Sequence, residues 1–172
     1  MVAAFPKYFA SIRSTNLQLA TDGTLAARIR ANYGVIKTLY PAATFPPVTL
    51  VVGRFTTGGT TASSGLLIGS EFYSTNPSTP LDELPPFQHD NVKSADNLPI
   101  IVAHEHAHAL QLDARGLMTR SNKTLLEQSL LEGAADFVGE RSSGGNIKTA
   151  ALRDIIAIAD AADFPARSGY VP

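Results

Sequence analysis

The chemistry in this chain is concentrated in one pentapeptide, His104-Glu105-His106-Ala107-His108. Its H-E-x-x-H frame sets His104 and His108 four apart, on one face of a helix, so both imidazoles can reach one metal ion at roughly 2.0–2.1 Å. Glu105, beside the first histidine, is placed to take a proton from a water next to that metal. His106 lies two positions from each ligand and should point elsewhere on the helix. Two histidines do not complete a catalytic metal site, which needs a third protein ligand and leaves one position for water. Glu132 stands 24 residues beyond His108, far enough for the chain to turn and bring a second helix alongside the first. Asp136 follows Glu132 by one turn and is placed to accept a hydrogen bond from a ligand imidazole, fixing its tautomer. Gly133, Ala134 and Ala135 between them are small enough to let the two helices approach closely.

The elements that must hold these residues can be read from periodicity. Residues 5–20 and 22–39 predict two helices forming a helical hairpin, the second capped by Asp22, with Leu25, Ile29, Tyr33 and Ile36 at helical spacing and Pro41 as its stop. After a Pro-rich connector at 41–47 the pattern turns to strands. Residues 48–55 and 65–73 are apolar runs separated by a Gly/Ser/Thr loop, which predicts a short antiparallel hairpin with Gly58-Gly59 in a flexible turn. The stretch 74–95 exceeds the usual loop length and is expected to be partly helical around 81–84. Asn97 with Pro99 opens the helix carrying the histidines, with Gly116 as its stop. Two further helices are expected at 123–141 and 147–162, with Leu125, Leu130, Leu131 and Phe137 in the core. The order is α+β in a single domain spanning 1–172.

Composition excludes several alternatives. A net charge of −1 leaves no basic footprint for nucleic acid. With no cysteine, thiolate catalysis and Cys-ligated zinc are ruled out, so a metal must rest on His, Asp and Glu. No apolar run reaches the roughly 18–20 residues of a membrane span. Charged residues make up only 17%, and with abundant Ser and Thr this leans toward an exported, periplasmic bacterial protein whose signal segment lies outside the given residues.

These motifs resemble those of the gluzincin-type metallopeptidases, with H-E-x-x-H on one helix and a Glu followed four positions later by an Asp on the next. More narrowly, the chain is similar to the bacterial DUF2268 group of predicted zinc-dependent proteases, related to the gliding-motility lipoprotein GldB. The likeness covers roughly residues 40–141, through Val52-Gly53-Arg54, Gly58-Gly59-Thr60, Gly65-Leu66-Leu67-Ile68-Gly69, VAHEHAHALQ and LLEGAADFVGE. It implies a minimal zincin-like domain whose hairpin edge lies beside the active-site helix. One zinc ion would be held by His104, His108 and Glu132, with Glu105 as base and Asp136 behind His104. Members of the group continue into a region containing a Gly-Tyr segment; here Gly169-Tyr170 meets the end of the chain. The expectation is therefore a C-terminally truncated domain, with Tyr170 standing in as oxyanion stabiliser.

The function expected from this pattern is hydrolysis of a peptide or protein substrate, pairing as an extended strand with the edge of residues 65–73. The alternative is a non-catalytic zinc-binding or structural module that retains the fold. An interaction domain with a chance motif fits less well, because His104 and Glu105 follow four apolar residues and Glu132 follows two leucines.

Overall fold

The computed structural model describes residues 2–62, 65–115 and 124–145. The helix expected at 147–162, the stop at Gly116 and Tyr170 lie outside the described residues. Within them the chain is mixed α+β, with six α-helices and one three-stranded sheet.

Helix α1 (Pro6–Asp22) opens with proline in its first turn and closes at Gly23, whose φ of 70° suits a residue without Cβ. Gly23 also caps α2 (Thr24–Leu39), one residue later than the sequence predicted, while the Asp22 carboxylate accepts the Thr24 N–H at 2.8 Å. The two helices serve different partners. Helix α1 buries Tyr8, Phe9 and Ile12 against Phe55, Phe72 and Leu84. Helix α2 packs on the two helices that carry the candidate site.

The sheet corrects the expected hairpin. Strand β1 (Val48–Val51) runs parallel to β3 (Gly65–Gly69), pairing Val48 with Leu66 and Val51 with Gly69. The antiparallel partner of β3 is β2 (Gly59–Ala62), formed inside the presumed loop, with Gly59 opposite Ile68. The strand order is β1-β3-β2. The physical reason is burial: Leu66 and Ile68 are fully buried, so the most apolar strand takes the centre, where both faces are covered. The polar Gly-Thr-Thr-Ala strand then becomes an edge. Residues 70–73 are not strand either. They form a short helix, α3 (Ser70–Tyr73).

Between Ser74 and the histidine helix the chain makes a long excursion, closed by a bridge between Thr75 and Ser94. Its helix is α4 (Pro86–Asn91), later than expected, because Pro85 and Pro86 exclude helix at the preceding residues and favour a start at the second proline. His89 is exposed there and its ring pairs with its neighbour Asp90, at 3.0 Å. Helix α5 (Leu98–Arg115) follows, and α6 (Leu125–Ser143) starts with a complete capping box between Thr124 and Glu127 and ends at left-handed Gly144.

Of the four residues of α6 expected in the core, Leu131 is buried and the other three are not. Leu125, Leu130 and Phe137 are more than 60% exposed, while Leu131, Ala135 and Gly139 are buried. That stripe, at i, i+4 and i+8, faces α5. No helix among the described residues is long and apolar enough to cross a membrane.

Candidate metal centre

Helix α5 is held on several sides, with Ile100, Val102, Ala103 and Ala107 all buried. Close contact with α6 depends on Gly139, where an added Cβ would come within 3.1 Å of the Ile100 carbonyl oxygen and 3.4 Å of the His104 amide nitrogen. Of the small residues singled out in the sequence, only Ala135 performs this role; Gly133 has open space around it. Gly139 completes an Ala-x-x-x-Gly stripe that sequence reading passed over.

This close approach brings the three expected ligands together. The ring Nε2 atoms of His104 and His108 are 3.1 Å apart, and Glu132 Oε2 lies 3.7 Å from the first and 3.3 Å from the second. These residues form a group that could hold one metal ion. For bonds of about 2.1 Å, the ligand atoms of a tetrahedral site lie about 3.4 Å from one another. The observed triangle matches that spacing.

Polar contacts lie behind both rings. His104 Nδ1 lies 2.8 Å from Asp136 Oδ1, as expected from the sequence. His108 Nδ1 lies 2.9 Å from Gln111 Oε1, and the same amide donates through Nε2 to the Leu131 carbonyl at 3.0 Å. Both partners of the imidazoles are thus acceptors, so each Nδ1 carries the proton and each Nε2 presents a lone pair. Gln128 fixes the carboxylate by donating to Glu132 Oε1 at 2.9 Å. With both rings in that tautomer three electron-pair donors converge on one point, an arrangement that a cation relieves. Gln111 was missed in the sequence, although its position three after His108 on the same helix is the local signal.

Glu105 leaves α5 toward the sheet. Its carboxylate lies against Gly59 of β2, where any Cβ would collide with it. Burial raises the pKa of Glu105; His108 opposes that shift and Glu132 adds to it, which places the group electrostatically beside the ligands. Tyr73 sits next to it, its hydroxyl under Gly58 and its pKa raised by burial and by the Glu105 charge. The Gly58-Gly59 pair is therefore not a flexible turn. It is the site where the backbone passes over the Tyr73 and Glu105 side chains.

Approach to that edge is set by a residue the sequence did not reveal. Glu71 is 1% exposed, and its carboxylate accepts the N–H groups of Gly53 at 2.7 Å and Phe55 at 3.2 Å. Phe55 has a φ of 57°, unusual for a side chain with a Cβ. The buried carboxylate thereby pins the segment that leads from β1 to β2. His106, by contrast, lies away from the ligands as expected. A scan against protein-family models and searches of curated proteins and of solved structures find no match to the chain.

Proposed function

We propose that this protein is a zinc-dependent peptidase with a zincin-like fold. The observation that carries the reading is the convergence of His104 Nε2, His108 Nε2 and Glu132 Oε2, with Glu105 beside them at a sheet edge. Two neutral imidazoles and one carboxylate at tetrahedral spacing suit zinc better than the all-oxygen shells of magnesium or calcium. Bound there, the ion supplies Lewis acidity, acidifying a water molecule and polarising a carbonyl oxygen.

The residues of the chain do the rest. Glu105 accepts the proton of the attacking water and delivers it to the amide nitrogen as the C–N bond breaks. A raised pKa matches that second duty, because the protonated carboxyl must be a usable acid. Asp136 and Gln111 keep both imidazoles in the ligating tautomer. The substrate edge moves from the expected 65–73 to β2, because β3 is the central strand and both its edges are paired. An extended substrate adding to β2 would pass directly over Glu105.

The test is zinc analysis of untagged protein followed by a peptide-cleavage screen with and without chelator. Glu105→Gln is expected to keep the ion and lose about 10²–10⁴-fold in turnover. Full activity in that variant would overturn the mechanism, whereas zinc uptake without any cleavage would support the non-catalytic module. Because the base works ionised, activity should fall as pH drops through a value above the ordinary carboxylate range.

A further inference from the structure

A concave site lies on the other side of α5. A cavity of about 450 Å³ opens between α1, α2, the connector at 45–47 and β1, within the roughly 300–1,000 Å³ range of small-molecule sites. Its walls are apolar, formed chiefly by Leu19, Leu25, Ile29, Leu50 and Val102. Val102 precedes His104 by two residues, about 200° around the helix, so the cavity backs onto the face opposite the candidate ligands.

Arg30 and Tyr33 are the polar side chains that line it. They stand three apart on α2 and so share a face. Neither the Arg30 guanidinium nor the Tyr33 hydroxyl has a hydrogen-bond or ion-pair partner among the described residues. The Tyr33 ring is fixed by stacking on Phe45, with centroids 4.1 Å apart, and by a T-shaped contact with His106 at 4.8 Å. Burial pushes its phenol well above the ordinary range, so it remains an O–H donor. One planar cation and one hydroxyl donor, at an otherwise apolar cavity, match a singly charged carboxylate with a hydrocarbon tail. They do not match a sugar or nucleotide, which would leave many polar groups unpaired.

We propose that this cavity binds a medium-chain fatty acid, its tail among the apolar walls and its carboxylate held by Arg30 and the Tyr33 hydroxyl. The site is independent of the peptidase reading. The test is calorimetric titration of the full chain with decanoate below its micellar range, with and without chelator, and with decanol as the uncharged control. Saturable one-site binding is expected, indifferent to chelator and about tenfold or more tighter than decanol. Arg30→Gln, at an exposed position, should bring decanoate down to the decanol level and leave decanol unchanged. Ala26→Trp, which fills part of the cavity wall, should remove both ligands. Four results would overturn the proposal: no saturable binding; loss of binding with chelator, which would put the carboxylate on His104 and His108; equal binding of decanol; or an unaltered affinity in Arg30→Gln.

Discussion

Helix α5 carries three histidines within five residues, and its two faces treat them differently. His104 and His108 look toward α6; Asp136 of α6 and Gln111 of α5 itself present oxygens to their Nδ1 atoms and leave Nε2 to converge with Glu132. His106 looks toward α2 and the connector, where its Nε2 donates to the Pro46 carbonyl at 3.1 Å and its ring makes T-shaped contacts with Tyr33 and Phe45. Burial does not separate the two roles, since His106 is 0% and His108 only 6% exposed. What separates them is which nitrogen the protein uses for itself. On the ligand face the fold consumes Nδ1 and offers Nε2; on the core face it consumes Nε2 and offers nothing outward.

The contrast can be broken most sharply by deleting one imidazole from each face. His108→Ala should lose the ion almost completely, a larger effect than the roughly 10–100-fold that removal of an orienting partner costs. His106→Phe should bind it as the parent does, as competition with a chromophoric chelator would read. Next in size is Gly59→Ala, whose Cβ collides with the Glu105 carboxylate. On the proposed mechanism, displacing Glu105 should lower turnover by about 10²-fold with zinc affinity unchanged. Unchanged turnover would separate β2 from the chemistry.

Asp136→Ala tests the claim that the acceptors behind the rings define the ligand face; the expected cost is about 10–100-fold in zinc affinity. The smallest effect belongs to the core face. His106→Phe should cost about 1–3 kcal/mol in urea unfolding, because the buried Pro46 carbonyl loses its donor. Burial lowers the pKa of His106, so the folded state holds it neutral. Below the ordinary value of about 6.5 the unfolded chain takes up a proton that the folded chain refuses. This contribution to stability is complete above that value and is lost as pH falls through the lowered one. The variant should therefore lose less stability on acidification than the parent does.

The site was more legible than the sheet because its spacing is local. His104 and His108 share a face on any α-helix, and Asp136 stands one turn from Glu132 for the same reason. Strand pairing is decided by contacts distant in sequence, and two apolar runs flanking a polar loop fit a hairpin as well as a parallel pair. Only the covering of both faces of β3 sends Gly59–Ala62 to the edge. The outward leucines of α6 misled for a related reason: its contact with α5 needs small residues at 135 and 139, so packing distance, and not hydrophobicity, chose the buried face.

The sequence by itself determined the donor set, the helix that presents two of its members and the absence of any thiolate alternative, because residue type and helical repeat are properties of a short stretch. Tertiary structure alone decided that Gln111 backs His108, which strand lies over Glu105 and what His106 packs against in the core. Those outcomes depend on the approach of α5, α6 and β2 to within side-chain contact, and that approach is set by the bulk missing at Gly59 and Gly139.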